Sequence, residues 1–570
     1  MSKEKKKRSL PFNKQQSDVS LYKNKNSSDL FSSSKNVGGH RASMPTSLLQ
    51  SLVSPSQTDL VVIPSLSLDS QILSKVNGLS YYDERLLFNI LCLRYNSNRV
   101  FYFTSTPLHL DLIDYYCNLI NTAHNNLSQF KNRFFNISVN DSSSATCLSN
   151  KILFRPQILK SLKNQLNPNK NLSLEVFRGT FYEEKIAKTL QLKLNSCKGR
   201  DVIWGTKANS RTIFRHLSIP HPDGTYEAEF DLNRLFERIL CILEKNSTST
   251  RGVIKLDESF AGKGNVIIEL KETQKVLNSS KKNNQTRRLA LKQLKLAYKN
   301  SIKDCDGFTD NVKRLGAIFE LFNETKHSNN SGKFQTSPSV QVLIRDGKVE
   351  VLSTHEQILN GHTYIGCSFP CLQIYREVLE TAGEKVGKFL MEKGISDYFS
   401  VDFMCDPPLN DNEGWDIKAL EINLRMTGTT NPFLLSAHLI QHSLEINNFN
   451  TVSNTDFDLK NLIKENFCYI SVEQNYNENF KHLTIKDLTE IFKVNSRFGW
   501  NPETKKGCIL FKFGGISELG CFGLTCISSN IEDCKEIFTL ALKFVEFEAI
   551  RIKNIFFNQG LSLEKEIFYN

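Results

Sequence analysis

The chain has 570 residues, 40% of them hydrophobic, with 39 Phe, 16 Tyr and a formal charge of +12, too long for one ordinary core and apolar enough to fill two to four. Its 14 cysteines contain no CxxC pair, which excludes zinc ribbons and thioredoxin-like motifs, so Cys367 and Cys371 read as ordinary thiols. No run of about 18 apolar residues and no apolar segment behind the basic start point to a membrane span or leader. A soluble, reduced, cytoplasmic protein is expected, with the basic run at 3–8 as a solvated tail or a nuclear import signal. Residues 1–57 are rich in Ser, Lys, Asn and Gln without apolar periodicity, the pattern of a disordered basic and polar tail. DLVVIPSLSL then predicts a buried strand and YYDERLLFNILCLRY a helix, on the recurrence of Leu86, Leu87, Ile90, Leu91 and Leu93. RVFYFTSTPL predicts a second strand and LDLIDYYCNLI another helix. Strand, helix and strand in that order imply a parallel pair joined by a crossover, hence an α/β unit over 58–175.

A β-rich α+β block opens around LSLEVF and spans 176–455. VIWGTKANSRTIFRHL passes from a short strand into a helix, and RGVIKLDESFAGKGNVIIEL sets two β-runs around a Gly and Ser loop. Residues at about 271–310 are basic and read as an insertion carrying a cationic helix, either a solvated face or an RNA-contacting element. LGAIFELF, the SPSVQVLIRDGKVEVLSTHEQIL hairpin with its DG turn, SDYFSVDFMCD and GWDIKALEINLR follow as strands. Over 456–552, HLTIKDLTEIFKV and NIEDCKEIFTLALKFVEFEAI predict amphipathic helices, and GCILFKF and CFGLTCIS strands around GGISELG, together a small α+β cap. Residues 553–570 form a tail.

The chemistry concentrates in ALEINLRMTGTTNPF at 419–433. On a strand, Glu421, Asn423 and Arg425 project to one side. A carboxylate, an amide oxygen and a guanidinium on one face suit a Mg²⁺-bound triphosphate, whereas the plain alternative is a solvated edge strand. Asp402 in SVDFMC lies one hairpin upstream, so Asp402 and Glu421 can face each other across an antiparallel pair. Two acids and an Asn suffice for Mg²⁺ when phosphates supply further oxygens. Lys255 leads into a loop whose Ser259, Gly262 and Gly264 let backbone N–H groups approach an anion; hairpins use the same residues. Lys207 at a helix start offers a second cation to phosphates. Glu320 and Glu324 flank a hydrophobic run that can serve an adenine edge and ribose hydroxyls, or simply be a buried strand ending in a polar turn.

The order of these pieces resembles the ATP-grasp superfamily. PSLSLDSQ, YDERLL, RVFYFTSTPL and IDYY resemble the pre-ATP-grasp domain of the pheganomycin-type peptide ligases, and SPSVQ, LSTHEQIL, YIGCSFP and EINLRMTGTTNPF resemble that family's core. HLTIKDLTEIF and GGISELGCFGLTCIS are similar to its carboxy-terminal domain, so the likeness covers roughly 58–548. The core of an IQ-motif protein of animal sperm is also similar, although no IQxxxRGxxxR motif is present here. The resemblance implies an α/β and α+β multidomain chain: an N-terminal α/β pre-ATP-grasp domain, an ATP-grasp fold and the small C-terminal cap. It implies ATP and Mg²⁺ as cofactors, with Lys207 and Lys255 on the phosphates and a lid over 259–265 holding Ser259, Gly262, Lys263 and Gly264. Glu320 falls at the adenine hinge, Glu324 at the ribose, Asp402, Glu421 and Asn423 at Mg²⁺, and Arg425 at an acyl phosphate, with Lys255 sharing the catalytic role. Leu321 departs from the second acidic hinge residue common in the superfamily, and Lys263 adds a positive charge to the lid. The expected function is an ATP-dependent ligase joining a small-molecule or peptide carboxylate to an amine, with no membrane partner. The alternative is a catalytically silent nucleotide-binding scaffold that recruits protein or RNA.

Overall fold

The computed structural model describes residues 58–121, 127–259, 264–279, 283–321, 335–361, 363–408, 414–449 and 467–569. Strands β1 (Thr58–Ile63), β2 (Arg99–Thr104), β3 (Phe134–Ser138), β4 (Asn171–Val176) and β5 (Lys193–Leu194) form a parallel sheet in the order β3-β2-β1-β4-β5. The parallel β1–β2 pair expected from the strand, helix, strand pattern is present, with Val61 opposite Phe101. The connecting helix, Leu79–Arg94, is 3₁₀-wound with a break at Leu86. The Tyr102 hydroxyl explains this: it donates to Asp83 O at 2.6 Å and accepts from Leu86 N–H at 3.2 Å, engaging main-chain groups that a regular α-helix would pair internally. LSLEVF does not open the second block. As β4 it is an internal strand of this first sheet, against β1 on one side and β5 on the other, because its run of buried residues suits a parallel strand covered on both faces.

Strands β6 (Arg251–Leu256), β7 (Asn265–Glu269) and β8 (Ala317–Leu321) make a small antiparallel sheet in the order β7-β6-β8. The basic segment expected as an insertion is built into this lobe. Its helix Asn284–Ser301, capped by Asn283, buries Ala290, Leu294 and Tyr298 in the same core as Ile254, Ile268 and Phe319, while Arg287 on its surface pairs with Glu237 and Glu244. A spacing of four between the three buried residues gives the helix one apolar face despite its charge.

The third sheet has eight strands: β9 (Pro338–Arg345), β10 (Lys348–Asn360), β11 (Thr363–Phe369), β12 (Asp397–Asp406), β13 (Asp416–Asn423), β14 (Cys468–Tyr476), β15 (Gly507–Phe511) and β16 (Cys521–Ser528). Their order is β13-β12-β9-β10-β11-β14-β16-β15. The predicted DG turn joins β9 to β10 with Asp346 at φ 52° and Gly347 at φ 73°, the left-handed pair such a two-residue hairpin demands. The carboxy-terminal strands expected to form a separate cap instead continue this sheet, since β14 pairs antiparallel with β11. One face is covered by the helix Gln373–Glu392, whose Gly383 and Gly387 let it approach Val340 and Val349. The helix Thr430–Phe449 is enclosed from Thr430 to Leu444 and packs against Leu79–Arg94. Among the described residues no helix is long and apolar enough to cross a membrane.

Candidate functional site

The antiparallel register of β12 and β13 sets Asp402 opposite Glu421, immediately before a shift in the pairing. Asn423 closes β13, and Arg425 follows where the strand has ended. The side chains link in series: Asn423 Nδ2–H donates to Asp402 Oδ2 at 2.9 Å, and Arg425 Nη2–H donates to Asn423 Oδ1 at 2.9 Å. Gln357 Nε2–H donates to the other Asp402 oxygen at 3.0 Å. Lys207 Nζ lies 3.0 Å from Glu421 Oε2 and donates to Ser259 Oγ at 3.1 Å. Lys207 opens the helix Lys207–His216, whose start is fixed by the Thr206 cap and by Ala208 N–H donating to Asp257 Oδ1 at 2.7 Å. Ser210 Oγ on that helix accepts from Ile422 N–H at 3.0 Å, tying it to β13.

The two carboxylates sit in unlike fields. Burial and the neighbouring Glu421 charge push the Asp402 carboxyl well above its usual range. Burial acts in the same direction on Glu421, but the ammonium groups of Lys207 and Lys255 outweigh it and hold that carboxyl low. Arg425 is pushed down to about 10 by burial and by the Arg178 guanidinium.

Lys255 on β6 lies 2.5 Å from Glu320 Oε2, and Arg211 Nη1 lies 3.1 Å from Glu320 Oε1. Glu320 is 2% exposed and Arg211 1%. Burial raises the Glu320 carboxyl, yet the two cations prevail and hold it below its usual range. This carboxylate is therefore turned into the lobe and engaged by two cations, so a hinge here would present backbone. Leu321 is buried in the same core, which accounts for the absence of a second acid. At the neck of the loop a Cβ on Gly264 would come within 2.6 Å of Ser259 Cβ, and Gly264 O accepts from Leu256 N–H at 2.9 Å. Gly262, Lys263 and Glu324 lie outside the described residues.

The structure thus brings Lys207, Lys255, Ser259, Asp402, Glu421, Asn423 and Arg425 into one cluster where β6 of the small lobe approaches β12 and β13. Among the described residues no group of three or more His, Cys, Asp and Glu side chains is placed to hold a metal. A hard cation at Asp402 and Glu421 would take most of its shell from phosphate and water oxygens, which is how Mg²⁺ binds beside nucleotides. Two adjacent carboxylates, one of them pushed upward by burial and by its neighbour's charge, fit such a cation, because it relieves that repulsion. His355, an open candidate from sequence, is a core residue: it is fully buried, 2.6 Å from the Tyr469 hydroxyl, and burial pushes its pKa down to about 3. Sequence reading missed Arg211, Gln357, Arg85, Arg178 and Glu473. The signal for Arg85 was present, since the charged run at 83–85 lies directly before the apolar run Leu86, Leu87, Phe88 of a largely buried helix.

No family model matches the chain. It is 28% identical over 233 residues to an L-propargylglycine–L-glutamate ligase of Streptantibioticus cattleyicolor, covering 40% of this chain and 41% of that protein. It is 19% identical over 407 residues to IQ motif-containing protein H of Danio rerio, covering 64% of this chain and 37% of that protein. It spans about two fifths of the length of these curated relatives. Among solved structures it is similar to the biotin carboxylase domain of the Hydrogenobacter thermophilus 2-oxoglutarate carboxylase, with TM-score 0.47, 12% identity, and 83% of this chain and 86% of that one covered. Similarity extends to biotin carboxylase from Campylobacter jejuni, with TM-score 0.47, 11% identity and coverage of 85% and 90%. An N5-carboxyaminoimidazole ribonucleotide synthetase gives TM-score 0.44, 11% identity and coverage of 88% and 97%.

Proposed function

We infer that this chain is an ATP- and Mg²⁺-dependent ligase that joins a small-molecule or peptide carboxylate to an amine. The observation that supports it most is the convergence, in one cluster, of the Asp402 and Glu421 pair with Lys207, Lys255 and Arg425. The similarity to an L-propargylglycine–L-glutamate ligase agrees with this class of reaction. When bound, the Mg²⁺-nucleotide supplies a phosphoryl group that turns the substrate carboxylate into an acyl phosphate, from which the amine displaces phosphate. Lys207 and Lys255 offset charge that spreads over the transferring group, a purely electrostatic task suited to preorganised ammonium groups. Releasing Lys207 from Glu421 and Lys255 from Glu320 frees both for that role. Asp402 and Glu421 would hold the cation between them, which would offset the repulsion between the two carboxylates. Arg425, fixed by Asn423, holds the carboxylate that reacts. Ser259 and Gly264 lie close together, with room for no side chain at Gly264, and Ser259 Oγ accepts from Lys207.

The test is ADP and phosphate release by the full chain with Mg²⁺, ATP and a broad carboxylate and amine panel. Substrate-stimulated release is expected from wild type and to fall at least about 100-fold in Glu421→Gln, the scale of removing one electrostatic group from a phosphoryl-transfer site. Silence of wild type and Glu421→Gln alike across the panel overturns the ligase reading and favours a nucleotide-binding scaffold.

A further inference from the structure

Beyond the metal wall, Arg425 faces a second charged cluster contributed by three separate parts of the chain. Phe177 and Arg178 follow β4, and the Arg85 guanidinium lies 3.9 Å from the Phe177 ring centre while that of Arg425 lies 5.8 Å from the same centre. Arg178 pairs with Glu258. Among the described residues, neither Arg85 nor Arg425 has a carboxylate at ion-pair distance. Arg85 is 6% exposed, donates from Nε to Tyr82 O at 3.1 Å, and has a buried Nη1 with no hydrogen-bond partner. A buried guanidinium donor left without a partner is costly, so Arg85 Nη1 is open to an acceptor. Burial lowers the pKa of both arginines, and Arg85 and Arg178 add to the repulsion felt by Arg425.

The opposite charge is close by. Glu473 on β14 lies 2.9 Å from Lys512 Nζ and is near enough to both Arg85 and Arg425 to be stabilised by each. Lys512 in turn lies over the Tyr82 ring. The loop after Arg425 is bolted to the first unit, with Met426 N–H donating to Phe177 O at 3.1 Å and Asn431 Nδ2–H to Arg85 O at 2.5 Å. These bonds hold Arg85, Arg425 and Glu473 in one arrangement: two guanidiniums against one aromatic ring, with a carboxylate within range of both.

We propose that Arg85 and Glu473 form the head-group site for the amine-bearing substrate, which is a free α-amino acid, its carboxylate on Arg85 and its ammonium on Glu473. Arg425 belongs to the metal wall through Asn423, so the carboxylate it holds is the one that reacts. Arg85 is bonded to Tyr82 and not to Asn423 or the carboxylate pair, so the carboxylate it holds is spared. Glu473 near both arginines sets the amine between its own carboxylate and the reacting one. A simple amine would satisfy Glu473 but leave Arg85 unpaired, which predicts discrimination by the α-carboxylate.

This inference rests on the ligase reading, and the experiment separates the two. The full chain is first given Mg²⁺, ATP and a carboxylate panel with hydroxylamine as nucleophile, read as hydroxamate. With any carboxylate so activated, glycine, L-alanine and L-glutamate are compared with glycinamide, L-alaninamide and L-isoglutamine as acceptors. In wild type the KM of the acids should be about 10- to 100-fold below that of the amides, the scale of one charge-assisted contact. The ratio should approach one in Arg85→Met and recover in part in Arg85→Lys. Equal use of acids and amides by wild type overturns the inference even if the variants do not fold, as does an unchanged ratio in Arg85→Met. Hydroxamate formation without any amino acid acceptor overturns it and leaves the ligase reading intact. No hydroxamate from any carboxylate overturns both.

Discussion

Replacing Arg211 with Met removes the buried cation that the helix Lys207–His216 extends to Glu320 of the small lobe and should loosen that lobe selectively. Arg211 Nε donates to Thr225 O at 2.6 Å, Nη2 to Pro222 O at 2.7 Å, and Nη1 to Glu320 at 3.1 Å. Methionine can follow the stem of the arginine but offers no donor, so two carbonyls lose a partner and Glu320, 2% exposed, keeps only Lys255. Breaking a buried ion pair from one side costs about 3–5 kcal/mol. Amide hydrogen exchange resolves this locally, and peptides covering β6 and β8 should exchange roughly 100- to 4,000-fold faster if opening of the lobe is lowered by that amount. Peptides of the first sheet serve as the internal control. In Arg211→Met/Glu320→Gln the uncompensated charge is gone, so part of the protection should return. Acceleration below tenfold in β6 and β8, or additive effects of the two changes, would refute the view that Arg211 is there to balance Glu320.

Two further substitutions probe the junction. Glu84 accepts from Gly514 N–H at 3.0 Å, and burial pushes its carboxyl up to about 7. A carboxyl raised in the folded state favours folding fully below its unfolded pKa and loses that contribution as pH rises through about 7. Calorimetric melting should therefore show Glu84→Gln flattening the decline in stability between about pH 4.5 and 7, by at most about 3 kcal/mol, and an unchanged slope would count against it. A Cβ at Gly428 would come within 2.4 Å of the Tyr364 ring and 2.6 Å of Glu473 Oε1. Gly428→Ala should displace the loop that carries Arg425 and cost about 1–3 kcal/mol, and a melting temperature equal to wild type would show that the loop has room.

The cluster of Asp402, Glu421, Asn423 and Arg425 is readable in the sequence because its signals are local. Glu421, Asn423 and Arg425 alternate along a few residues, and Asp402 is one hairpin away, so the period of a strand and the register of an antiparallel pair place them together. The DG turn is legible for the same reason. Glu320 was read as a nucleotide contact because no local feature reveals that Arg211, far upstream, occupies its carboxylate. Likewise the cationic helix at 284–301 looked like an appendage because charge dominates its composition, whereas three apolar residues at a spacing of four decide where it packs. Strand neighbours distant in the chain, such as β1 with β4 or β11 with β14, leave no trace in either segment alone. Arg85 combines both cases: its charge is visible in YDERLL, but its placement beside Phe177 and Glu473 depends on contacts across three parts of the chain.

The pairing of β11 with β14 has a practical consequence for anyone wishing to cut the chain down. A fragment ending after the helix Thr430–Phe449 would strip β11 of its neighbour and leave the main-chain groups from Gly366 to Phe369 without the strand that pairs with them. The Phe369 ring, now stacked on Tyr469 at 5.2 Å, would lose that cover as well. A bare, apolar strand edge recruits other chains, so such a fragment should precipitate or form ordered aggregates instead of behaving as a minimal enzyme.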